Sequence, residues 1–234
     1  MTDSAQAAPA AKPPYEARDP KPLGKAVVVW LWAHTAALAA NLAATGWYLV
    51  VLAALSPSEP MGWLDPTPGG ETVDGVVGLV AIATFLIWVV CAVLILRWIY
   101  RVVKNARILT RGHGVDSTPG WAVGWYFIPI ANLWKPFKPV EEAWQASEDP
   151  ANPAGVDTPG RLRWWWGLWL VMNVLGNLAG RLSMRGQTAG DAAASSTVQV
   201  AADLVNIPLN LVFIAIVMGL SRRQSAALNT RAFE

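Results

Sequence analysis

The chain has 234 residues, 54% of them hydrophobic and 15% charged, with a mean hydropathy of +0.34. A soluble domain of this size carries about a quarter charged residues, so the composition excludes a single water-soluble core and points to lipid. One cysteine, Cys91, excludes an intramolecular disulfide, and the two histidines, His34 and His113, are too few and too far apart for a metal-ligand pattern. The net charge of +2 informs only when mapped along the chain. Fourteen tryptophans against 5 Phe and 4 Tyr add a second membrane signal, because indole gathers at membrane–water interfaces.

Residues 1–22 are rich in Ala, Pro and mixed charge without apolar periodicity, and read as a disordered tail ahead of a membrane domain over 23–234. Four runs are long enough for transmembrane helices, at 26–55, 76–96, 164–182 and 198–220. The first is far longer than the apolar core of a signal peptide and reads as an uncleaved anchor. The connections 56–74, studded with Pro and Gly, and 183–197, small and polar, read as loops. A fifth apolar stretch, 121–134, is only about 21 Å long as a helix. It contains Gly124 and Pro129 and is expected to be re-entrant or interfacial. The fold expected is therefore all-α, a polytopic four-helix membrane protein.

Charge placement supports four spans. With both termini in the cytoplasm, Arg181 and Arg185 are the only two of the 18 basic residues left outside. A crossing at 121–134 would move Lys135, Lys138, Arg161, Arg163 and the C-terminal arginines outward, against the positive-inside rule. The implied location is the cytoplasmic membrane. Beyond the second span, Arg97, Arg101, Lys104, Arg107 and Arg111 share one helical face. Trp98, Ile99, Val102, Val103, Ala106 and Leu109 share the other. The basic face is a candidate for anionic lipid headgroups, although a topology signal alone would produce it. Gly112 marks the stop.

Polar residues inside the spans each need a partner. Asn173, Asn177 and Arg181 lie along one face of the third span, and Asp203, Asn206 and Asn210 along one face of the fourth. Antiparallel pairing across a loop at 183–197 would bring Arg181 to Asp203, with Asn177 near Asn206 and Asn173 near Asn210. Gly176 and Gly180 form a G-x-x-x-G pair expected to let the two helices approach closely. His34, Asn41 and Thr45 share a face of the first span. These residues read as interhelical glue, or alternatively as the lining of a polar cavity for a small solute or ion.

The stretch 118–144 reads as a turn at Pro119-Gly120, a short apolar helix, a break at Pro129, a polar stop at Asn132, and a second break at Pro136 and Pro139. Glu141, Glu142 and Trp144 then open a short polar helix. Its run Pro119-Gly120-Trp121, its core from Trp125 through Pro129 and Asn132 to Trp134, and Pro136 resemble an uncharacterised family of bacterial integral membrane proteins, domain of unknown function 4328. Arg97 to Arg101, Asn105 and the cluster Trp164-Trp165-Trp166 extend the resemblance over most of the chain after the first span. The resemblance implies membrane location and a shared architecture, and no activity. The motif itself reads as a structural brace at headgroup depth or as a gate over a cavity.

No P-loop, dinucleotide fingerprint, zinc-protease or hydrolase motif occurs. No catalytic residue, metal site or cofactor is expected, and nucleic-acid binding is unsupported. The reading favoured by sequence is a structural or interaction protein whose surroundings are the lipid bilayer. A small-solute transporter or channel subunit is the rival, and an enzyme acting on lipid a weaker third.

Overall fold

A computed structural model describes residues 16–61 and 66–231. Residues 1–15, most of the expected tail, lie outside the described residues. Every element is helical: α1 (Lys21–Ala53), α2 (Glu71–Leu109), α3 (Pro119–Gly124), α4 (Phe137–Glu148), α5 (Gly160–Arg185) and α6 (Ala189–Arg231), with 3-10 turns at Trp125–Phe127, Ala131–Leu133 and Pro153–Gly155. Three helices are long and apolar enough to cross a membrane: α1, α2 and α6. The 26 residues of α5 make about 39 Å of helix, so its length suffices, while Arg161, Arg163, Asn173, Asn177 and Arg181 lower its hydropathy.

Local chemistry sets the helix ends. Pro22 occupies the first turn of α1, where its missing N–H is no loss, and Asp19 accepts the Lys21 N–H. Just before it, the Arg18 backbone exchanges two hydrogen bonds with the Asn105 side chain. α2 ends in a Schellman arrangement, Gly112 N–H bonding Arg107 O and Arg111 N–H bonding Ile108 O. The left-handed residue there is Arg111, at φ 53°, and Gly112 follows it at φ 85°. The 43-residue α6 runs through Pro208 without ending.

The sequence expectation of a long loop at 183–197 is corrected. α5 continues to Arg185 and α6 begins at Ala189, so three residues form the connection. Alanine is the strongest helix former, and Thr188 with Asp191 makes a capping box that starts α6: the Asp191 N–H donates to the Thr188 hydroxyl, which donates to the Asp191 carboxylate. This turn is zipped to the other connection by Met61 N–H to Gln187 O, Ala189 N–H to Glu59 O and Gly190 N–H to Pro57 O.

α1 packs against α2 and α6, and α5 packs against α6, while α2 and α5 hardly touch. At the end away from the zipped turns the gap is filled. Trp98, Ile99, Val102, Val103 and Ala106 of α2, all fully buried, pack with residues of α3, α4 and α6. Trp98 donates to Ser221 Oγ at 2.9 Å, and Gln224, also fully buried, accepts from Asn105 and donates to Val102 O. The buried face of α2 is the apolar face read from the sequence. Farther up, α2 turns outward: its most apolar window is 6% buried, against 50% for α6. Leu79, Ile82 and Leu86 are exposed there, as suits a lipid-facing surface.

The stretch 121–134 is broken. Thr118 caps α3, Pro119 occupies its first turn, and two 3-10 turns follow on either side of Pro129. Pro139 does not break the chain as the sequence suggested. It sits in the first turn of α4, where a missing N–H is tolerated. Trp121, Phe127, Ile130 and Trp134 point outward, Trp121 stacks on Trp125, and Lys135 lies over the Trp125 ring. Behind them, buried Glu142 accepts the Ser117 N–H and faces Lys138 at 3.5 Å. The hydrogen bond to Asp116 and the Glu142 charge hold the Lys138 ammonium protonated above the ordinary lysine range.

Candidate functional site

A polar seam joins α1 to α6. Asn210 donates to His34 Nδ1 and to Thr35 Oγ1, both at 3.1 Å. About two turns along, Asp203 Oδ2 accepts from Asn41 at 2.7 Å and Oδ1 from Gln199 at 2.8 Å. Asp203 is 4% exposed and has two amide donors. A buried carboxylate is stabilised by such donors, yet among the described residues no ion pair neutralises it.

The expected pairing of Arg181 with Asp203 is corrected. With a three-residue connection, Asp203 lies about ten residues farther from the turn than Arg181, roughly 10–15 Å deeper. Arg181 is exposed instead. The asparagines of α5 bond within their own helix, Asn173 to Trp169 O and Asn177 to Asn173 O, the local option open to short polar side chains. Gly176 and Gly180 make no close helix contact: a Cβ at either would meet nothing within 4 Å.

Between α2 and α5, which hardly touch, lie three adjacent cavities that share lining residues and form the lobes of a cleft. The outer lobe, of about 700 Å³, lies beneath the turns and includes Glu71, Asp74 and Asp191. It shares Tyr48, Val77, Ser183, Ser195 and Ser196 with a middle lobe of about 550 Å³, which holds Asn41, Thr45 and Asp203. His34, Trp88 and Asn206 in turn border both the middle lobe and an inner lobe of about 300 Å³. The inner lobe is mostly apolar, walled by Trp88, Trp165, Trp169, Met172 and Phe213, and Asn173 and Asn210 also reach it. The broken motif closes its floor with Tyr126, Phe127 and Asn132. Among the described residues, three buried polar atoms lack a protein partner, Tyr126 Oη, Asn132 Oδ1 and Trp169 Nε1, and all belong to residues lining this lobe. Buried polar groups left unpaired by protein are costly and mark places where something else bonds.

The cleft thus gathers His34, Asn41, Asn173, Asp203, Asn206 and Asn210 from the residues singled out by sequence, and leaves Asn177 and Arg181 outside. Sequence reasoning missed Thr35, Gln199, Tyr126, Trp169 and Trp88. Gln199 stands one turn before Asp203 on the same face, a readable signal hidden by assigning its neighbourhood to a loop edge. Of the basic face on α2, Arg107 bonds the carbonyls of Val115 and Ser117 and so holds the chain reversal together. Arg97 and Arg111 are exposed, Arg101 and Lys104 half-buried.

Chemically the cleft can bind and orient. Among the described residues no group of three or more His, Cys, Asp or Glu side chains could hold a metal ion. No curated protein and no solved structure matches the chain. Residues 70–222 match the family model described as domain of unknown function (DUF4328), spanning α2, the motif, α5 and most of α6. With well over half of its length matched, the chain belongs to the DUF4328 family.

Proposed function

We propose that this is a four-span protein of the bacterial cytoplasmic membrane that binds a small solute in the cleft between α2 and α5, as a transporter or channel subunit does. α5 is the fourth span in this reading, packed along α6, and both termini face the cytoplasm. The placement of basic residues supports that orientation, since only Arg181 and Arg185 stand at the end of the zipped turns. Arg97, Arg101, Lys104 and Arg111 then lie on the cytoplasmic side, within reach of anionic headgroups.

The observation that carries the solute reading over a purely structural role is the cleft itself. Interhelical glue packs dry, whereas here the seam residues border adjacent cavities. Polar groups at membrane depth are tolerated where they line such a space.

Single cysteines in a Cys91→Ser background test the proposal. N-ethylmaleimide, which reacts with water-exposed thiols, should modify Asn41→Cys and Asn206→Cys but only slowly the lipid-facing Leu204→Cys, whose native side chain is 56% exposed. A membrane-impermeant maleimide should reach Glu59→Cys in intact cells and Glu148→Cys only after permeabilisation. Unreactive thiols at 41 and 206 would return the protein to a structural role, and external labelling at 148 would overturn the four-span orientation.

A further inference from the structure

We propose that the solute is a small organic monocation, an ammonium or quaternary ammonium group carried on an apolar body. The inference rests on the cleft being a solute site and adds the chemistry of what enters it. Four carboxylates line the three lobes, Glu71, Asp74 and Asp191 in the outer and Asp203 in the middle, and no Lys or Arg does among the described residues. Asp74 is committed to the Thr67 backbone and hydroxyl, and Asp191 to Gln187 and Thr188. Asp203 differs: it is buried, its donors are neutral amides, and the one basic side chain nearby, His34, accepts at Nδ1 from Asn210. Once ionised by an arriving cation, a carboxylate held at depth by neutral donors attracts that cation strongly, because little water screens it.

The walls fit the same class. Tyr48, Phe85 and Trp88 line the middle lobe with Asp203, and Phe85 and Trp88 stack at 5.9 Å. Aromatic faces beside a carboxylate form the environment that holds quaternary ammonium ions through cation–π attraction. Beyond Trp88, the inner lobe offers about 300 Å³ of mostly apolar space, the lower end of the range for small-ligand pockets. Tyr126, Asn132 and Trp169 line its floor, with the Tyr126 Oη, Asn132 Oδ1 and Trp169 Nε1 atoms buried behind that wall. An occupant with its charge at Asp203 and an apolar body in the inner lobe fits both regions. The cation comes either from a free solute or from an ammonium-bearing lipid headgroup entering between α2 and α5.

Full-length protein in phosphatidylglycerol nanodiscs is titrated with phenethyltrimethylammonium, with neutral phenethyl alcohol and with anionic 3-phenylpropionate, following tryptophan fluorescence. Saturable binding of the cation is expected, at least about tenfold tighter than the alcohol, with no binding of the anion. Asp203→Asn should erase most of that preference and Asp203→Glu should keep it. Trp88→Leu, at a half-exposed position, should weaken the cation more than the alcohol and guards against misfolding of the Asp203 variants. Repeating the titration with phosphatidylethanolamine in the discs separates the sources. Unchanged affinity assigns the site to a free solute, and weakened affinity to competition from an ammonium headgroup. No saturable cation binding at millimolar concentration, or equal binding of cation and alcohol insensitive to Asp203→Asn, would overturn the inference. Reactive thiols at 41 and 206 would then leave the solute cleft standing, whereas their protection would remove both.

Discussion

Replacing Gly24 with alanine places a methyl group where α1 and α6 come very close. The new Cβ would lie 2.6 Å from Ser221 Oγ and 3.3 Å from Ser221 Cβ, with Val217 Cγ1 at 3.5 Å. Ser221 cannot simply rotate away, because its Oγ accepts the indole N–H of Trp98, a side chain 0% exposed. Either the helices part, an overpacking cost of roughly 1–3 kcal/mol, or the indole N–H is orphaned at a similar cost of roughly 1–3 kcal/mol. Alanine returns about 0.5–1 kcal/mol over glycine in a helix interior, leaving a net loss of roughly 0.5–2 kcal/mol. In a Ser221→Ala background the offending oxygen is gone, and Gly24→Ala should be neutral or mildly stabilising. Thermal unfolding in detergent of the two single variants and the double gives the coupling, expected at about 1–2 kcal/mol. If Gly24→Ala stabilises both backgrounds equally, α1 and α6 do not approach at this point and the reasoning fails.

Arg181→Gln and Asp203→Asn should be additive in thermal unfolding within about 0.5 kcal/mol, since the two side chains do not meet; a larger coupling would restore the ion pair. Gln224→Leu should destabilise by about 1–3 kcal/mol, because it leaves one N–H of the buried Asn105 amide unpaired and removes the bond to Val102 O, and an unchanged unfolding midpoint would show that the tie carries no weight. Arg111→Gly should stabilise by about 0.5–1 kcal/mol by relieving a left-handed backbone; destabilisation in the same assay would mean that the arginine side chain matters more than its φ.

Parts of this architecture were legible in the sequence for definite reasons. The buried face of α2 repeats at helical spacing from Trp98 to Leu109, and Pro129 could only interrupt the motif helix. The connection after α5 misled because Ala192 to Thr197, small and polar in composition, resembles a loop, while the capping pair Thr188 and Asp191 starts a helix just before it. That shortening slid the register of α5 against α6 and took Arg181 out of reach of Asp203. Helical geometry placed Asn173 and Asn177 on a common face but could not say whether their amides would bond across to α6 or back to their own carbonyls. Hydropathy gave no sign of the cleft, since α2 is apolar on every side between Val76 and Leu96 and no stripe marks where α5 fails to cover it.

The central claim is an open cleft between α2 and α5 whose inner lobe holds a guest, and a high-resolution experimental structure in lipid nanodiscs tests it most directly. Ordered density is expected in the inner lobe between Trp88 and Trp169. α2 packed directly onto α5, with no space beside Asp203, would contradict it.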